Sequence, residues 1–144
     1  MGDLIVAGIS GNKILPSADA KIKTLMFPTY SPADPSVTSC YDCNTGAVYV
    51  VPADKKFVIL NYNCYASQQT TALQILLIRG TTVNSNAGAT TLIINRADDD
   101  QAQNNFGADV AIEVPANNYI TLELNGTGAY GFAGFTCVGV EIDA

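Results

Sequence analysis

Apolar and polar residues alternate along much of this chain with a period of two. In Tyr119-Ile120-Thr121-Leu122-Glu123-Leu124 the even positions are apolar, and Thr121 and Glu123 are expected to face out. In Phe57–Cys64 the even positions Val58, Leu60, Tyr62 and Cys64 stay apolar, while the odd positions end in Asn61 and Asn63. In Cys137–Ile142 the even side, Val138, Val140 and Ile142, is again the apolar one and is expected to face inward. Successive side chains of a strand point to opposite faces, so each such set belongs to one face of a sheet. Ala72–Ile78 is apolar almost throughout and reads as a strand covered on both sides. No long stretch repeats at i, i+3, i+4 and i+7, so helix is expected in under about a tenth of the chain.

Further strand-like runs are Ala47–Val51, Thr90–Ile94, Ala108–Val114 and Tyr130–Phe132. Turn-forming clusters separate the runs. Asn84-Ser85-Asn86-Ala87-Gly88 and Asp98-Asp99-Asp100-Gln101 read as loops, and Asn125-Gly126-Thr127-Gly128 as a tight turn. Asn-Gly supplies the positive φ angles that tight hairpins need. About eight strands at this spacing predict an all-β fold, a jelly-roll-like β-sandwich.

The first 46 residues differ. They hold Pro16, Pro28, Pro32 and Pro35, four of the six prolines. Proline lacks a ladder donor, so Tyr30–Ser36 is not a central strand. The reading is an extended N-terminal arm, residues 1–46, ahead of a sandwich domain, residues 47–144. Edge strands are expected at Asp3–Ile9 and Ile22–Met26. The arm carries Leu4, Ile5, Val6, Ile14, Leu15, Leu25, Met26, Phe27 and Tyr30. So many apolar residues in water would be costly, at about 25 cal/mol per Å². They are expected to dock on a sheet of this subunit or another, and they are the candidate partner-binding residues.

One internal echo stands out. Val50-Val51-Pro52-Ala53-Asp54-Lys55-Lys56-Phe57 resembles Glu113-Val114-Pro115-Ala116-Asn117-Asn118-Tyr119. Each is a strand end, Val-Pro-Ala, two polar residues and then an aromatic-led strand. Proline fixes φ and halts the first strand, and the polar pair turns the chain.

Composition narrows the function classes. The 144 residues suit one domain. Charged residues make up only 14%, against about 25% in ordinary domains. Net charge is −6, with seven scattered Lys and Arg and no histidine. A nucleic-acid binder needs a basic face, so nucleic acid is not an expected partner. A negative surface also disfavours anionic membranes. No apolar run approaches the roughly 18 residues that span a bilayer, and Met1-Gly-Asp does not read as a secretory signal. Synthesis in the cytoplasm is expected.

Catalytic chemistry is sparse. Without histidine the commonest general base is missing, and Ser-His-Asp and Cys-His arrangements are excluded. No phosphate-binding glycine loop appears. Glu113, Glu123 and Glu141 sit at positions expected to face solvent. Cys40-Tyr-Asp-Cys43 has C-x-x-C spacing, but a redox motif wants a helix after it, and a zinc site wants a second knuckle. Cys64 and Cys137 read as small core residues and all four as free thiols. Asp98-Asp99-Asp100 lacks calcium-loop spacing and reads as a solvated loop. The expectation is a binding or structural module that is not an enzyme and takes no metal or cofactor. Seven tyrosines without tryptophan leave a carbohydrate- or receptor-binding module, such as a tail-fibre domain, as the alternative.

At the two Val-Pro-Ala turns the chain resembles the jelly-roll domains of tailed-phage virion proteins. There such a turn leads into a long strand, here Lys56–Tyr65, then an Asn/Thr-rich loop, here Ser67–Thr71, and another strand. The second turn, Tyr119–Leu124 and the Gly-aromatic segment Tyr130-Gly131-Phe132 resemble the later part. Asp54 stands where the usual pattern has glycine. Among virion proteins the chain is most similar to a capsid decoration, or cement, protein. That resemblance implies a homo-oligomer, a trimer before a dimer, bound to the major capsid protein on the outer surface of the virion. Its role there would be to stabilise the shell.

Overall fold

The computed structural model describes residues 4–5, 13–14, 21–27, 37–67, 73–97, 103–125 and 132–144. The described elements are all strands: β1 (Leu4–Ile5), β2 (Lys13–Ile14), β3 (Lys21–Met26), β4 (Val37–Ser39), β5 (Tyr41–Asp42) and β6 (Lys55–Ser67). They continue with β7 (Leu73–Gly80), β8 (Thr90–Ala97), β9 (Gln103–Val114), β10 (Tyr119–Asn125) and β11 (Phe132–Asp143). One sheet has the order β5-β3-β11-β6-β9 and the other β4-β10-β7-β8, with β1 and β2 as a separate antiparallel pair. From β6 onward the chain passes between the two sheets at β6–β7, β8–β9, β9–β10 and β10–β11. All pairings are antiparallel. The fold is an all-β jelly-roll sandwich.

The core lies between the sheets. Phe57, Ile59, Phe135 and Cys137 from one sheet meet Ile75, Leu77, Ile120, Leu122 and Leu124 from the other. The Phe135 ring stacks on Tyr62 at 5.7 Å and meets the edge of Phe27 at 5.3 Å. The even residues of β10 fill the core as expected, but Thr121 on its other face is also buried, sharing a hydrogen bond with Ser39 Oγ at 2.9 Å.

Two strands correct the expected alternation. In β6 the inward residues are Phe57 and Ile59, then Tyr62 and Cys64. The register against β11 steps from Val138↔Asn61 to Gly139↔Ile59, leaving Leu60 as an extra residue. One extra residue moves everything beyond it to the other face. In β11 the odd side faces inward, through Phe135, Cys137, Gly139 and Glu141. Val138, Val140 and Ile142, expected to face inward, share the opposite face with Val58, where Val140 and Val58 are nonetheless buried, at 1% and 5% exposure. Gly139 gives way to the Phe57 ring, and Glu141 accepts a buried hydrogen bond from Tyr49. Ala47–Val51 is also no strand; only isolated bridges form there, Tyr41↔Val48 and Val50↔Tyr119.

The described part of residues 1–46 is woven into both sheets. β3 pairs along β11 from Met26↔Thr136 to Lys21↔Glu141, and β4 pairs with β10. Leu25 and Phe27 lie in the core.

The two Val-Pro-Ala turns lie side by side. The Val51 amide donates to the Asn118 carbonyl at 3.0 Å, and the Asn117 amide to the Val51 carbonyl at 2.8 Å. Asn117 takes a left-handed φ of 60°, which asparagine tolerates better than most residues. Val51 and Val114 both plug the core at this end.

Candidate functional site

Among the described residues, three polar arrangements are the places where chemistry can occur. The first joins β3, the segment 41–49 and β11. Lys23 Nζ donates to Asp42 Oδ2 at 2.7 Å, and the Asn44 amide donates to Asp42 Oδ1 at 2.8 Å. Lys23 Nζ also stands 5.8 Å over the Tyr49 ring. The Tyr49 hydroxyl donates to Glu141 Oε2 at 2.9 Å, and Glu141 is 5% exposed. The Lys23 hydrogen bond is the main cause that holds Asp42 below its ordinary value. Burial, then the bond to Glu141, raises Tyr49 well above the ordinary phenol. A phenol so held stays protonated and is no general base. Glu141 was expected at the surface; here it joins this buried network.

The cysteines form a second group. Cys40, Cys64 and Cys137 are buried and Cys43 is exposed, and no disulfide joins them. Cys40 is raised well above the ordinary thiol, chiefly by burial. Burial pushes Cys64 and Cys137 up to about 12. The thiolate is the nucleophile and the metal ligand, so these three are chemically quiet. Among the described residues no group of three or more His, Cys, Asp or Glu is placed to hold a metal ion. Asp98-Asp99-Asp100 and the Asn125–Gly128 turn beyond Asn125 lie outside the described residues.

The third arrangement is a cleft of about 500 Å³ at the end that carries the Val-Pro-Ala turns. Lys56, Arg79, Glu113, Pro115, Ala116 and Ala144 line it. Arg79 pairs across from Ile120 in β10, on the face that carries Ile75 and Leu77. Its Nη1 donates to Asn118 Oδ1 at 3.2 Å, and Asn118 Nδ2 donates to the Ala116 carbonyl at 3.0 Å. Lys56 Nζ meets Glu113 Oε1 at 2.9 Å on the rim. Sequence reasoning missed this site. The signal was there, since Ile75, Leu77 and Arg79 are i, i+2 and i+4 on one face of a strand.

Of the candidate partner-binding residues, Leu25 and Phe27 are filled positions of this chain's own core. Met26 is half-buried. Leu4, Ile5 and Ile14 belong to the β1–β2 pair. Val6, Leu15 and Tyr30 lie outside the described residues. Among the tyrosines, Tyr49 and Tyr62 are buried and Tyr41 and Tyr119 half-buried. The exposed apolar side chain nearest to the expected docking role is Ile22, 61% exposed. It lies in register with Val140 and, beyond it, Val58, on the outer face of the five-stranded sheet.

No protein-family model matches the chain, and no curated protein matches it. Among solved structures it is similar to the Eiger TNF of S. frugiperda. That match has a TM-score of 0.52 and 12% identity, over 87% of this chain and 93% of that one. At this identity the likeness shows the fold alone. Two looser likenesses carry no argument. The globular domain of the zebrafish complement 1qA protein has a TM-score of 0.48 and 9% identity over 81% of this chain and 94% of that one. The Gx strain structure of infectious bursal disease virus has a TM-score of 0.41 and 10% identity. It matches all of this chain, which spans 38% of that one.

Proposed function

We propose that this protein is a structural virion component, a decoration protein that binds the outer surface of a capsid and stabilises the shell. It acts by binding and is not an enzyme. The observation that carries the reading is the outer face of the five-stranded sheet. There Ile22 is 61% exposed, in register with Val140 and Val58, which are themselves buried at 1% and 5% exposure. The exposed Ile22 side chain gains free energy when a partner covers it. Low charge keeps the desolvation cost of such a contact small. The resemblance of the Val-Pro-Ala segments to jelly-roll virion proteins supplies the partner, a major capsid protein. A homo-oligomer, a trimer first, presents several copies of that face at once and gains avidity from them.

The test is co-sedimentation with empty shells assembled from the major capsid protein encoded in the same genome. Saturable pelleting, with raised shell resistance to heat, is expected. A chain that stays in the supernatant yet binds a glycan saturably would instead be a carbohydrate- or receptor-binding module.

A further inference from the structure

The cleft at the Val-Pro-Ala end holds an arginine that the outer-face reading does not use. Arg79 is half-buried on the inner face of β7, at the open end of the sandwich. Among the described residues no carboxylate pairs with it; its one hydrogen bond is the Nη1 contact with Asn118 Oδ1. A guanidinium carries five N–H donors in a planar fork. One is spent on Asn118, which leaves donors for a ligand. Asn118 is itself buried and anchored to the Ala116 carbonyl at 3.0 Å, so the contact orients the fork. Lys56 adds a second cation across the cleft, and Glu113, the acid on that side, is already engaged by it. Pro115 and Ala116 supply a small apolar wall.

We propose that this cleft binds a carboxylate, held by the Arg79 fork and steered by Lys56. A planar carboxylate matches the fork through two parallel hydrogen bonds. The volume of about 500 Å³ accommodates a small organic acid, with its carbon chain against Pro115 and Ala116. It equally accommodates an aspartate or glutamate side chain presented by a partner protein. Both sources offer the same group. Glu113 on its rim continues the cross-strand row of Ile22, Val140 and Val58, but the titration uses carboxylate probes alone, so its outcome is independent of shell binding.

The experiment is a titration of the full ¹⁵N-labelled chain, followed by NMR, with succinate, with a blocked Gly-Glu-Gly peptide and with inorganic phosphate at matched ionic strength. Saturable shifts confined to the Arg79 and Asn118 side-chain signals and the Ala116 amide are expected for at least one carboxylate probe. Tighter succinate binding identifies a free acid, and tighter peptide binding a protein side chain. Arg79→Lys keeps the charge and removes the fork; it should weaken binding about ten-fold. Lys56→Gln should weaken it less, by about three-fold. Shifts that rise linearly with every salt, phosphate binding without carboxylate binding, or equal affinity in Arg79→Lys would each overturn the proposal. Unchanged spectra of the rest of the chain in Arg79→Lys show that the fold is intact.

Discussion

The Tyr49 hydroxyl donates to Glu141 Oε2 at 2.9 Å, joining residues 92 positions apart inside the sandwich. Tyr49→Phe removes the donor and leaves a buried carboxylate oxygen short of a partner. The expected loss is about 1–3 kcal/mol of unfolding free energy, read as a lower urea midpoint at unchanged slope. The pH dependence follows from the raised phenol value. Unfolded Tyr49 ionises at its ordinary value of 10.0, and folded Tyr49 only above it. Its contribution is therefore full below pH 10.0 and lost as pH rises beyond that. Wild type should lose stability on the alkaline side more steeply than Tyr49→Phe.

The acid side belongs to Asp42. Its carboxyl is held below the ordinary 3.8, first by the Lys23 hydrogen bond. Its contribution is present above pH 3.8 and is lost as pH falls through the lower folded value. Asp42→Asn should lower stability near neutrality and flatten the acid limb of the stability curve, as urea unfolding at several pH values would show.

Gly139 leaves room for the Phe57 ring. A Cβ at Gly139 would overlap Phe57 and the Val58 carbonyl, standing 2.7 Å from Phe57 Cε1. A flexible side-chain end could move aside, but the carbonyl is backbone. Gly139→Ala should cost about 3 kcal/mol, and a midpoint within error of wild type would contradict this packing.

These sites mark what was legible in the sequence. Alternation revealed β10 because no register shift interrupts its pairing with β7. It misassigned β6 because the bulge at Leu60 exchanges the faces midway, and a bulge leaves no signature in a run that is apolar on both sides. Glu141 read as a surface residue because charge is the usual surface signal; its partner Tyr49 is too distant in sequence to reveal the exception. The Val-Pro-Ala echo was visible, but not that its two copies bond to each other. Ile22–Met26 was readable as a strand, though not its place between β5 and β11, which depends on long-range pairing.

Asn84 closes the loop after β7 over the outer face of the four-stranded sheet. Its Oδ1 accepts from the Ser39 amide at 2.8 Å, and its own amide donates to Ser39 Oγ at 2.9 Å. Its φ of 51° is left-handed. Asn84→Ala loses the side-chain acceptor and strains the backbone, at about 1–3 kcal/mol together. Faster hydrogen exchange at the Ser39 amide is the specific readout.

The thiols offer a simple count. With Cys40, Cys64 and Cys137 buried and raised, only Cys43 should react with iodoacetamide in the folded protein at pH 8. Mass spectrometry should find one adduct under native conditions and four in denaturant.

The measurement that bears most directly on shell binding compares wild type with Ile22→Asp on empty shells. Ile22 is 61% exposed on the outer sheet face, so aspartate there should leave the urea midpoint nearly unchanged while placing a charge in the contact. Occupancy per shell is read by quantitative co-sedimentation across a concentration series. Wild type is expected to saturate at a fixed number of copies, and Ile22→Asp to bind at least about ten-fold more weakly. Equal occupancy by the two proteins, or no saturable binding by wild type, would contradict a decoration role carried by this face.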